Sequence, residues 1–208
     1  MARYGDFVID GDVLTKYKGR ESEVVIPDDV ETIGENAFEQ NNSIKSVIIP
    51  DSVKYIEEDA FAACHKLEKV TFGEGLKVIG NAAFIECLKL KSVKIPNSVV
   101  KIEDVAFTDC TSLKSLTLGR NLQYIGYSAF QNCINLKSVT IPNSVEIIER
   151  SAFEKCENLE DVTLGNGIEE LGGRVFADCS YDLTFTIPHN RFLKKFCKEC
   201  GYNYIERR

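Results

Sequence analysis

Seven phenylalanines, Phe38, Phe61, Phe84, Phe107, Phe130, Phe153 and Phe176, stand 23 residues apart with no insertion between them. A unit of that length has too few apolar side chains to close a core alone, so successive units must stack and share one, as in a solenoid. Each Phe follows a small residue, Ala37 through Ala152 and finally Val175. Three positions after it comes Cys64, Cys87, Cys110, Cys133, Cys156 or Cys179, with Asn41 in the first unit. Further ladders run through Ile44 to Leu159, Val47 to Phe185, Ile26 to Ile187, Val30 to Ile168 and Ile33 to Leu171.

The order Leu-x-x-Val-x-Ile alternates only in its last part, as a short strand with one buried face does. Eight such strands stacked in parallel at about 4.8 Å predict a rod of roughly 35 to 40 Å. The rule for parallel crossovers makes its winding right-handed. The site after each strand reads Pro27, Pro50, Gly73, Pro96, Gly119, Pro142, Gly165, Pro188, which marks a corner. Proline is tolerated where the ladder stops, and glycine is expected there for the backbone angles of a tight bend. From Pro50 onward the two alternate, and KSVKIPNSV (91–99) recurs 46 residues on as KSVTIPNSV, so a two-coil unit has been duplicated.

An open stack needs capped ends. Residues 7–17, FVIDGDVLTKY, read as a hairpin about Asp10-Gly11 within an N-terminal cap of residues 1–23. Repeats fill 24–188, and 189–208 form a C-terminal cap, its helix carrying Phe192, Leu193, Phe196, Cys197 and Cys200 on one face and stopping at Gly201. The whole chain of 208 residues is expected to be one domain.

The pattern Cys-x-x-Leu-x-x-Val-x-Ile-Pro-x-x-Val-x-x-Ile-Gly/Glu-x-x-Ala-Phe, with the DFVIDGDVLTKYKG opening and the closing helix, resembles the BspA-like class of bacterial leucine-rich repeats. That resemblance implies a curved leucine-rich-repeat superhelix, frequent occurrence in cell-surface or secreted proteins of anaerobic and mucosal bacteria, and adhesion to host matrix proteins or other cells in some members.

A net charge of −7 with no run of Lys and Arg argues against nucleic acid or a polybasic membrane patch as partner. Nothing in the sequence has the length and apolarity of a membrane span, and Met1–Asp6 has no apolar leader core. Six of the eight cysteines share one ladder, where parallel side chains reach the dihedral of a disulfide poorly, so they are expected as free buried thiols. The one CxxC, Cys197 to Cys200, lies at a helix end whose dipole disfavours a thiolate, and reads as cap packing. His65 and His189 are more than five coils apart and cannot share a metal or a proton. No nucleophile, phosphate-loop or zinc motif appears, so neither catalytic residues nor a cofactor are expected.

If Val93 and Ile95 face inward, Ser92 and Lys94 face out, and the same register brings out Ser115, Thr117, Ser138, Thr140, Asp161 and Thr163. This concave sheet face, hydroxyl-rich, nearly uncharged and free of Trp and Tyr, is the candidate site for a protein partner, possible partners being host matrix or surface proteins. Tyr55, Tyr124 and Tyr127, on the opposite arc, form a second candidate patch. Two readings stay open: a monomeric adhesive module at the cell surface or secreted, and an intracellular scaffold or spacer.

Overall fold

A computed structural model describes residues 4–207, in which the 23-residue period becomes a stack of parallel-strand coils. After a single turn at Tyr4–Asp6 the chain forms the hairpin of β1 (Phe7–Asp10) and β2 (Val13–Tyr17). Each coil then contributes a three-residue strand and a two-residue strand. The longer ones are β3 (Glu23–Val25), β5 (Ser46–Ile48), β7 (Lys69–Thr71), β9 (Ser92–Lys94), β11 (Ser115–Thr117), β13 (Ser138–Thr140), β15 (Asp161–Thr163) and the extended β17 (Thr184–Pro188). The shorter are β4 (Thr32–Ile33), β6 (Tyr55–Ile56), β8 (Val78–Ile79), β10 (Lys101–Ile102), β12 (Tyr124–Ile125), β14 (Ile147–Ile148) and β16 (Glu170–Leu171).

Pairing joins residues 23 apart, as in Ser46↔Lys69, Val47↔Val70 and Ile48↔Thr71, so like stacks on like. The middle residue of each longer strand is buried and its neighbours face out, as alternation requires. The shorter strands form a second ladder absent from the sequence reading. Two residues give no alternation, and these strands exist because Ile33, Ile56, Ile79, Ile102, Ile125 and Ile148 are drawn into the core with no exposure above 1 %, with Leu171 half-buried at the end of the row.

A third ladder runs through the Phe turns. The amides of Phe61, Phe84 and Phe107 donate to the carbonyls of Ala83, Ala106 and Ala129 at 2.7–2.8 Å. The seven rings stack with centroids 4.6–5.5 Å apart and planes within 13°. Residues two places before and after each Phe take left-handed backbone, as Val105 (φ 50°) and Asp109 (φ 60°) do around Phe107. That conformation costs L-residues about 1 to 3 kcal/mol each. It is offset because it turns the amides of Val105, Phe107 and Asp109 onto the next coil, at 2.7, 2.7 and 3.0 Å.

The cysteine ladder has a role in the same turn. Cys64 Sγ donates to the Phe38 carbonyl at 3.1 Å, and Cys87, Cys110, Cys133, Cys156 and Cys179 repeat the bond at 3.3–3.4 Å to the Phe of the coil before. The first coil has no Phe turn before it, and there Asn41 accepts from the amides of Ser43 and Ile44 instead. All eight cysteines are free thiols. Burial pushes Cys64 and Cys179 up to about 12, so neither is a thiolate at neutral pH.

The hairpin caps the second and third ladders and leaves β3 as an edge: β2 pairs in parallel with β4, while the Tyr17 amide donates to the Ala37 carbonyl at 2.8 Å and its ring stacks on Phe38 at 5.0 Å. At the other end helix α1 (Arg191–Cys200) starts at Asn190, whose side chain accepts from the amides of Phe192 and Leu193, and stops at left-handed Gly201 (φ 72°). Its buried stripe is narrower than expected. Leu193 and Cys197 are buried and Phe196 half-buried, but Phe192 and Cys200 are exposed, because they flank the line of closest approach to the last coil. The cap also holds a strand the sequence reading did not assign, β18 (Asn203–Arg207), paired in parallel with β17.

Candidate interaction surface

The longer strands present one face to solvent, and the eight candidate residues lie on it. Ser92, Lys94, Ser115, Thr117, Ser138, Thr140 and Asp161 are exposed and Thr163 is half-buried. Ser115 pairs with Ser92 and Thr117 with Lys94, while Ser138 pairs with Asp161 and Thr140 with Thr163. The face is not one sheet, however. It splits into β3 to β11 and β13 to β18, with the break through the middle of the candidate set.

The break follows the corner residues. Where the chain passes from a proline coil to a glycine coil the seam is closed: Ile49, Ile95 and Ile141 donate to the carbonyls of Thr71, Thr117 and Thr163, each at 2.8 Å. A Cβ on Gly73, Gly119 or Gly165 would lie 2.2–2.4 Å from the backbone of Pro50, Pro96 or Pro142. These glycines do not take left-handed angles, contrary to the expectation for a tight bend; they are glycine because the preceding corner occupies the space of a side chain. An incoming proline does not by itself open a seam, since Ile26 donates to Ile48 at 3.0 Å where the Pro50 coil follows the Pro27 coil, but from Gly73 to Pro96 and from Gly119 to Pro142 the corners stand off. Among the described residues, no matching bond runs from Phe72 to Lys94 or from Leu118 to Thr140.

Burial records the opening. The inward residues Val70, Phe72, Leu116 and Leu118 retain 7–9 % exposure, against 1–3 % for Val93, Ile95, Val139 and Ile141. A groove of about 430 Å³ lies over the first open seam, where β7 and β9 keep only the Lys69↔Ser92 pair, and is bordered by Lys69, Phe72, Glu74, Lys94, Pro96 and Thr117. Another of about 310 Å³ lies over the second, between Leu118, Arg120, Thr140 and Pro142. The last glycine-to-proline seam is closed, with Leu164 donating to Thr186 at 2.9 Å. There β18 holds β17 from outside, and Arg207 donates to the Leu164 carbonyl at 3.3 Å.

The surface is also more charged than its outward positions alone suggest. Lys91, Lys114 and Lys137 precede successive strands, and with Lys69, Lys94 and Arg120 they form an exposed basic band from β7 to β13. A scan along the chain misses it because its members come from different repeats. Within the band Glu68 is paired with Lys91, and that bond, with Lys45 and Lys89 nearby, holds its carboxyl below the usual range. The outermost rungs are acidic, with Glu23 and Asp28 exposed at β3 and Glu160 and Asp161 at β15, while on the β5 rung Lys45 balances Asp51.

The other candidates stay apart. Tyr55 and Tyr124 lie on β6 and β12 with Val78 and Lys101 on the rungs between, and the Lys101 ammonium sits 5.3 Å from the Tyr124 ring centre. Tyr127 follows in the next turn, 47 % exposed. His65 meets Glu86 at 3.4 Å and His189 meets Glu206 at 3.0 Å. Cys197 is buried against the last coil and its thiol is pushed up to about 11, while Cys200 is also raised by burial. Among the described residues, no three metal-ligating side chains come together.

The profile of the BspA type leucine-rich repeat region matches residues 16–99 and 77–203, in six copies. The chain belongs to that family. A leucine-rich repeat protein of T. pallidum is 30 % identical, with 98 % of this chain and 97 % of that one aligned at a TM-score of 0.83. A leucine-rich cell surface protein of Faecalibacterium prausnitzii is also 30 % identical, over 89 % of this BspA-type chain at a TM-score of 0.78, and the chain spans 54 % of its length. A leucine-rich repeat protein of Bacteroides ovatus, 24 % identical at a TM-score of 0.59, shares the fold. No match is found among curated proteins.

Proposed function

We propose that this chain is a non-enzymatic protein-interaction module, monomeric in itself, that takes its partner on the strand face and works at a bacterial cell surface or in secretion. The observation that carries the reading is the family match over almost the whole chain, a fold whose members act as protein-interaction scaffolds. The location draws on the F. prausnitzii relative, a cell surface protein. The strand face is preferred over the tyrosine arc because it offers grooves between rows of outward Ser, Thr and Lys side chains. A second reading, an intracellular scaffold, draws on the eight free thiols, which suit a reducing setting.

The test is binding to arrayed extracellular-matrix and epithelial surface proteins by surface plasmon resonance. Thr117→Gln, Thr140→Gln and Thr163→Gln are made together, which lengthens three side chains without altering charge. Saturable binding that weakens at least about tenfold in this variant and not in Tyr55→Ser/Tyr127→Ser supports the strand face. Loss only in the tyrosine variant rejects it. Fractionation of the source cells separates the two locations.

A further inference from the structure

We infer that the segment bound on the strand face is a short acidic stretch of polypeptide, about five residues long; the inference rests on the strand face being the binding surface. In a chain of net charge −7, six cations gather on the rungs from β7 to β13, facing only the carboxylates Glu68 and Glu74. Among the described residues, Lys69, Lys94, Lys114, Lys137 and Arg120 have no ion-pair partner, so the band offers uncompensated charge to an incoming anion. Steering by such a field is the general use of a charged patch on an oppositely charged protein.

The length follows from the limits of the band. Four rungs at about 4.8 Å span about 14 Å, which extended polypeptide covers in four or five residues. Beyond them the β5 rung carries Lys45 against Asp51, with Glu23 and Asp28 on the next, and Glu160 and Asp161 lie on the other side, so a longer anion gains nothing on β5 and meets repulsion at β3 and β15. That disfavours a nucleic acid or a sulfated polysaccharide, whose charge continues. The grooves favour peptide for a second reason: their floors show the edges of Val70, Phe72, Leu116 and Leu118, which accept apolar side chains. No Tyr or Trp lies on the strands of the band to stack a sugar ring.

Fluorescence anisotropy tests this with labelled peptides in which a block of about five glutamates, the length set by the strand rise, lies between leucines and a Gly-Ser flank. The glutamate peptide binds saturably and its lysine counterpart does not. Doubling the block tightens binding less than about threefold, and raising salt from about 50 to 300 mM weakens it. The double variant K69E/K94E, exposed at both sites, keeps its melting midpoint and binds at least about tenfold more weakly. Binding of the lysine peptide, an unaffected K69E/K94E, or tighter binding of heparin fragments or single-stranded DNA overturns the inference. If the glutamine triple variant loses an arrayed partner that K69E/K94E keeps, the acidic segment is wrong and the strand face stands. If neither variant loses that partner, the strand face itself is wrong.

Discussion

The seam between β9 and β11 and the seam between β11 and β13 join coils of the same length, the same core and nearly the same sequence, yet one is closed and the other open. At the first, three residue pairs match and Ile95 adds a bond to Thr117 at 2.8 Å. At the second no strand pairing forms. The Phe turns do not distinguish the two. Phe84 to Phe107 and Phe107 to Phe130 stack at 5.1 and 5.3 Å, and the turn amides bond equally across both. The spine of this solenoid is therefore the aromatic turn, and the strand face is the side that can give. What separates these two seams is the order of two corner residues: glycine after proline nests, and proline after glycine stands off unless, as at Pro188, a further strand holds it in place.

The largest effect comes from removing what both seams share. Phe107 is fully buried between two ring neighbours, and Phe107→Ala should cost about 3 to 5 kcal/mol in chemical denaturation, opening coils on both sides. Next, Gly119→Ala forces a Cβ to 2.2 Å from the Pro96 carbonyl oxygen, and should destabilise by about 1 to 3 kcal/mol as the closed seam is pried apart. Gly173→Ala, with nothing within 4 Å, is its control and should stay within about 0.5 kcal/mol. Controls aside, the smallest effect should come from Pro142→Gly, which frees a proline corner to approach. It should cost about 0.4 to 1 kcal/mol through the unfolded chain while increasing exchange protection of the Leu118 amide. An unchanged Leu118 amide would show that the ring is not what holds this seam apart.

Much of this molecule is legible in its sequence because stacking copies a local pattern along one axis. Phe38 to Phe176, the cysteine ladder and the Val and Ile ladders name the core directly, and Asp10-Gly11 and Gly201 mark the caps. The missing parts are properties of pairs of coils or of very short segments. The alternation from Pro50 to Gly165 was visible, but whether a corner nests depends on the residue a full coil earlier, across a contact that the linear pattern does not show. The lysine band is hidden for a related reason: Lys91, Lys114 and Lys137 are neighbours only after stacking. The shorter strands, such as Lys101–Ile102, are too brief to alternate, and Asn203–Arg207 follows a helix stop that reads as an end.

Amide hydrogen exchange of the intact chain, read residue by residue by NMR, tests the central claim most directly. The account predicts slow exchange at Ile49, Ile95 and Ile141, whose amides bond across closed seams, and markedly faster exchange at Phe72 and Leu118 in the same corner position. Equal protection at all five would mean that the seams do not alternate and that the grooves of the strand face are not built by the order of proline and glycine.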